Sequence, residues 1–327
     1  MAKASGPTIT APSAARQVRF HQLLVGARKT WLMDALSDAL ATVDPERLKT
    51  EILRFVPKDA QQILAASGIR DEHVFPLPAV LEAKPTLVGY YRLLLGSPQK
   101  TFYGSGTGMG PFKRMETAGI ITKADLIPAF CEAMAVSLAE LVRQVSPRIE
   151  GRDVAELPLL TFGSYLQGQN NTAIGKQATQ DVFLVIADLV KPFIIERTET
   201  RLKVKNASKR IVTIALSSDP DVAITEAFGT KTSNKVAIEI KGGTDKSNAH
   251  NRAGEAEKSH QKAAGKGFKD FWTIIALKGL KEETLATESP TTNNWFDASH
   301  VLARKGAGWE DFKHRIAEAV GIPLGKA

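Results

Sequence analysis

The chain has 327 residues, 43 Lys+Arg against 35 Asp+Glu, 43% hydrophobic residues and a single cysteine, Cys131. That length suits one large or two ordinary domains with a sizeable core, and no apolar run approaches the ~18 residues of a membrane-spanning helix. One cysteine excludes a disulfide framework and a Cys-rich zinc site and fits a reducing compartment, while a net charge of +8 permits nucleic acid as a partner.

In chain order, residues 1–15 lack the apolar stretch of a secretory signal and read as a disordered tail on a cytoplasmic protein. Residues 16–150 read as mainly helical. Trp31, Leu32, Ala35, Leu36, Ala39 and Leu40 recur at helical spacing, and Asp44-Pro45-Glu46 ends one helix and starts another. After Phe75-Pro76-Leu77-Pro78 a helix runs through residues 87–95, stopped by Gly96 and Pro98, and another spans about 123–145. Glycines at every second position in Gly104–Gly110 fail the dinucleotide-binding spacing, so this segment reads as a surface loop.

From 151 to 327 the character changes to that of an α/β domain with a C-terminal helix. A long helix through residues 181–188 gives way near Pro192 to β-branched runs at 211–216, 222–225, 236–240 and 271–277, with a polar helix at about 251–262 between the last two. Strand, strand, strand, helix, strand is the expected order.

The chemistry concentrates on two of these strands. In Lys235–Gly243, alternation puts Val236, Ile238 and Ile240 on one face and Ala237, Glu239 and Lys241 on the other. A carboxylate and an ammonium on one face of a strand call for a ligand or partner. Asp221, leading into the preceding strand, can bring a second carboxylate beside Glu239, and with the Ile240 carbonyl the pair offers hard oxygen ligands for Mg2+. Lys241 is then placed to orient or help deprotonate an attacking water. That set meets the needs of phosphodiester hydrolysis. The bland alternative is a surface ion pair on an edge strand.

Pro220-Asp221, eighteen positions before Glu239-Ile240-Lys241, resembles the signature of the PD-(D/E)xK nuclease superfamily. The run 239–245 with Ser247–Lys262, and more faintly Tyr90–Tyr103, resembles type II restriction endonucleases of the XcyI group. The resemblance implies a restriction-endonuclease-like core of a mixed sheet flanked by helices. It also implies a Mg2+-dependent homodimer that cuts both strands of double-stranded DNA at a short palindrome, associated in this group with CCCGGG, leaving 5′-phosphates. By carry-over, Asp221 and Glu239 bind the metal and Lys241 assists the water. Asp219 is a second candidate for the first acid, and Asp221 is preferred because it enters the strand directly.

Around the site, residues 196–210 and 241–269 each carry a net +4, as phosphate binding requires. Glu257 and His260 share one face of the polar helix and are candidate accessory groups, the former beside the metal and the latter on a phosphate or as a proton carrier. Lys246, Asn248, His250, Asn251, Arg252 and Lys258 are candidate DNA contacts. Gln167, Gln169, Asn170 and Asn171 are chemically able to read base edges, but sequence assigns no base contact. Asn251 and His260 have the spacing of the last two positions of an HNH nuclease, a reading rejected because no metal-adjacent histidine stands on an upstream strand. A structure-specific or repair nuclease of the same fold, and a non-catalytic DNA-binding protein, are the alternative functions.

Overall fold

The structure is a computed structural model and describes residues 13–145, 148–242, 249–276 and 282–324. The candidates Lys246 and Asn248 lie outside the described residues, as do Gly243 and the following Thr244 and Asp245. The chain forms two compact units, Met1–Gly168 and Gln169–Ala327. Their boundary falls inside one long helix instead of at residue 150.

The first unit is built of helices: α1 (Ala15–Trp31), α2 (Met33–Leu40), α3 (Pro45–Phe55), α4 (Lys58–Ala66), α5 (Pro78–Ala83), α6 (Val88–Leu94), α7 (Gln99–Phe102), α8 (Lys113–Ala118), α9 (Ile127–Gln144) and the first part of α10 (Gly151–Val190). The Asp44-Pro45-Glu46 signal acts as expected. Asp44 caps α3, its carboxylate accepting from the N–H groups of Glu46 and Arg47, and Pro45 takes the first helical position, where no N–H is needed. In α2, Ala35, Leu36 and Ala39 are the buried side chains, on the stripe that the spacing marks out. They join a core with Phe75, Tyr90, Tyr91, Phe130 and Phe162.

One ion pair is sunk in that core. Arg92, 1% exposed, makes a two-pronged contact with Glu116 through Nε at 2.9 Å and Nη2 at 2.8 Å, and also donates to the Ser97 carbonyl. Gln99 and the Tyr103 hydroxyl donate to the same carboxylate at 2.7 and 2.6 Å. Burial alone opposes ionisation of Glu116, but its four donated hydrogen bonds hold the carboxyl below its ordinary range. The segment Tyr90–Tyr103 supplies Arg92, Gln99 and Tyr103 to this cluster. The glycine loop that follows is exposed between residues 105 and 108, with Gly106 and Gly108 at positive φ.

The second unit is a seven-stranded sheet in sequential order: β1 (Ile194–Arg197), β2 (Arg201–Lys205), β3 (Ile211–Leu216), β4 (Val222–Phe228), β5 (Lys231–Lys241), β6 (Asp270–Ile275) and β7 (Asn294–Asp297). Strands β1 to β5 form an antiparallel meander, and β5–β6 and β6–β7 pair in parallel. The parallel crossover from β5 to β6 carries α11 (Ala249–Gly265). Helices α12 (Glu282–Glu288), α13 (Ala298–Ala303) and α14 (Ala307–Val320) complete the unit.

Alternation in β5 sorts as expected. Val236, Ile238 and Ile240 enter the large core with Val182, Phe183 and Ile186 of α10 and Phe312 and Ile316 of α14. Ala237 faces the other way, onto Ala263 of α11 and Phe268 and Phe271. Glu239 and Lys241 stand on this α11 side. Three strands escaped the sequence reading. In the charged run 201–205 only Leu202 and Val204 are buried, and β1 and β7 have four residues each, too short for a periodic signal. No helix among the described residues is long and apolar enough to cross a membrane.

Candidate active site

β5 lies between β4 and β6, so Glu239 is on a central strand and only 3% exposed. This excludes the edge-strand surface pair. Antiparallel pairing of Val222 with Ile238 continues by one step to set Asp221 across from Glu239. The two strands are stitched at that point by the Ile240 N–H, which donates to Asp221 Oδ2 at 2.8 Å. In such a ladder the N–H and C=O of one residue point to the same neighbouring strand, so the Ile240 carbonyl turns toward the Asp221 side as well. Lys241 Nζ donates to Glu239 Oε2 at 3.0 Å, its side chain 17% exposed.

Burial pushes the Asp221 carboxyl above its ordinary range, against the opposing Ile240 hydrogen bond and the Lys241 charge. Glu239 is raised for the same first reason and by the negative charge of Asp221, with Lys241 opposing. Two carboxylates held together out of water share the single ammonium of Lys241, which leaves the pair short of positive charge. Among the described residues no group of three His, Cys, Asp or Glu side chains gathers for a metal, so the available donors here are two carboxylates and a backbone carbonyl. That all-oxygen set fits a hard divalent cation of the Mg2+ type.

Asp219 is occupied differently. Its Oδ2 pairs with Lys262 of α11 at 3.1 Å, and the Lys266 ammonium donates to its carbonyl at 2.6 Å. The Ser217 N–H donates to the Asp221 carbonyl at 3.1 Å, and the Ser217 hydroxyl to the Pro220 carbonyl. These contacts clamp the turn that presents Asp221. The two lysines were legible in the sequence only as part of a basic run.

Of the other candidates, Glu257 accepts from Ser289, Gln261 and both the N–H and hydroxyl of Thr291. His260 is fully buried and bonded to Thr273. His250 Nδ1 lies 2.7 Å from Glu288 Oε1, Asn251 and Lys258 are exposed, and Arg252 is half-buried. Gly242 is legible in the sequence only as part of the Gly-Gly run that closes the strand; it follows Lys241 where α10 passes. A Cβ there would stand 3.0 Å from Ala178 Cβ and 3.3 Å from Gly175 Cα and the Ile174 carbonyl. Only glycine admits this approach without displacement.

Residues 21–323 match the family of the XcyI restriction endonuclease. The type II restriction enzyme Cfr9I of Citrobacter freundii is 38% identical over 320 residues, covering 96% of this chain and 97% of the relative. The type II restriction enzyme XcyI of Xanthomonas campestris pv. cyanopsidis is 38% identical over 325 residues, covering 96% of each.

Proposed function

Because the chain belongs to the XcyI restriction endonuclease family, and is thus a type II site-specific deoxyribonuclease acting on double-stranded DNA, we propose that it cleaves a short palindrome, CCCGGG, through the Asp221–Glu239–Lys241 cluster with Mg2+ as cofactor. The observation that carries the site assignment is the meeting of Asp221 and Glu239 across two paired strands, with Lys241 3.0 Å from Glu239. Asp221, Glu239 and the Ile240 carbonyl would hold the cation, which would supply Lewis-acid stabilisation of the negative charge developing at phosphorus.

The chain's own groups do the rest. One Lys241 N–H is committed to Glu239 and two remain, one to orient the attacking water and one to meet a phosphate oxygen as charge develops on it. Attack by the water oxygen forms a new P–O bond and breaks the bond to the 3′-oxygen; the water gives up one proton to solvent and the 3′-oxygen takes one from solvent, leaving as a 3′-hydroxyl. The new phosphate stays on the 5′ end. A palindrome presents this bond twice in two-fold symmetry, so a homodimer brings one such site to each strand. The protein acts in the bacterial cytoplasm, where the DNA is.

Incubation with unmethylated phage DNA, with Mg2+ and with EDTA, followed by sequencing of the fragment ends, tests this. A Mg2+-dependent ladder whose 5′-phosphorylated ends share CCCGGG is the expected result. Mg2+-dependent smearing, or a ladder with another sequence at its ends, refutes the proposed specificity; salt-sensitive binding with no cutting refutes the catalytic assignment.

A further inference from the structure

Beside Glu239, on the sheet face that α11 covers, lies a chain of polar groups that the cleavage chemistry does not use. The β5–β6 register sets Thr273 beside Glu239, and Thr273 is fully buried. His260 Nε2 lies 2.9 Å from its hydroxyl, which in turn lies 3.0 Å from the Thr292 hydroxyl. Thr292 is 2.8 Å from the Ser289 hydroxyl, and Ser289 is 3.1 Å from Glu257 Oε2.

The protons in this chain have one consistent placement. Glu257 receives the Thr291 N–H at 3.0 Å and the Thr291 hydroxyl at 2.7 Å, so its carboxylate is an acceptor. Ser289 therefore donates its single proton to Glu257 and must accept from Thr292. Thr292, its proton spent, accepts from Thr273. Thr273 then has only a lone pair for His260, so Nε2 carries the hydrogen and Nδ1 is left as the bare nitrogen. Nδ1 is indeed buried without a hydrogen-bond partner among the described residues.

We propose that Glu257, acting through three hydroxyls, fixes His260 as the neutral Nε2–H tautomer, and that His260 is a positioning residue which locks Thr273 and β6 against the Glu239 strand. This assigns Glu257 and His260 a place beside the site, acting through Thr273, instead of contact with metal or phosphate. Burial independently favours neutral His260, bringing its pKa down to about 4; the nearby Lys241 charge acts the same way and Glu257 opposes. Among the described residues a cationic imidazole has no acceptor for its second proton.

The tautomer stands on the hydrogen-bond chain alone, whereas the effect on cleavage rests on the reading of Glu239 given above. The test is a long-range proton–nitrogen NMR correlation on the full chain labelled with 15N-histidine at neutral pH, with His260 assigned by its loss in His260→Gln. The expected signal is a single neutral Nε2–H tautomer. Glu257→Leu, which removes the acceptor at the end of the chain and frees the Ser289 proton, should mix the tautomers. In cleavage assays Thr273→Val should lower kcat by about tenfold or more with KM little changed, the scale of a small misplacement of reacting groups, and Thr273→Ser should restore it. An Nδ1–H or charged His260, or a tautomer unmoved by Glu257→Leu, overturns the proton chain. Wild-type kcat in a folded Thr273→Val protein overturns the positioning role. A wild-type protein that fails to cut DNA leaves the tautomer readable, so the two failures are distinguishable.

Discussion

Lys241→Met separates chemistry from binding. The replacement keeps most of the aliphatic stem of a side chain that is 17% exposed and removes only the ammonium 3.0 Å from Glu239. Two donors meant for water and phosphate vanish, and Glu239 loses the cation that offsets both its burial and its neighbour Asp221. Positioned proton-handling groups contribute about 10²- to 10⁴-fold, so the single-turnover rate should fall by that range, about 2.7–5.4 kcal/mol of transition-state stabilisation. Binding should change far less. Removing one phosphate-facing cation lowers the slope of log affinity against log salt by at most about 0.9. The assay pairs single-turnover cleavage with Mg2+, enzyme in excess, with DNA binding in EDTA at several salt concentrations. Equal losses in rate and affinity would reduce Lys241 to a phosphate contact and refute the argument.

Other perturbations probe the frame around the site. Glu239→Gln should abolish cleavage yet raise the urea midpoint of the metal-free protein at neutral pH. A carboxyl raised in the folded state stabilises below its unfolded range and ceases to as pH rises through its folded value, so ionised Glu239 weakens the apo fold; an unchanged or lower midpoint counts against this. Glu116→Ala strands a buried guanidinium and should destabilise the helical unit by about 3–5 kcal/mol in urea melts, whereas Arg92→Met with Glu116→Leu should recover most of that loss. Gly242→Ala forces a methyl against Ala178 and should cost about 1–3 kcal/mol while slowing cleavage through displacement of the β5 end; a neutral effect on both would show that the helix yields.

Much of this architecture was written in local patterns. The 3.6-residue stripe of α2, the Asp44-Pro45 start of α3 and the two-residue alternation of β5 each act through neighbours in sequence, so they could be read without the fold. The pairing of Asp221 with Glu239 was legible for the same reason: short antiparallel connections leave few registers that keep Val222 and Ile238 inside. The hydroxyl chain was not legible, because Thr273, Ser289 and Thr292 are ordinary residues until β6 and the segment before β7 bring them together. Nor could a basic run disclose which lysines are spent on Asp219. Tyr90–Tyr103 drew notice for its likeness to nucleases, and the structure gives it the buried Arg92–Glu116 lock.

The change from antiparallel to parallel pairing at β5 also orders events in time. During synthesis the meander through β5 can pair as its residues emerge, since each hairpin closes a short loop. Thr273 and the α11 cover reach the Glu239 face only after some thirty further residues have been made and a longer crossover has closed, a slower and less local step. A nascent chain thus holds its acidic residues in a solvated, loosely fixed ribbon before it holds them in a rigid wall. On the positioning role proposed for Thr273, competence to cut DNA therefore waits on the synthesis and docking of β6.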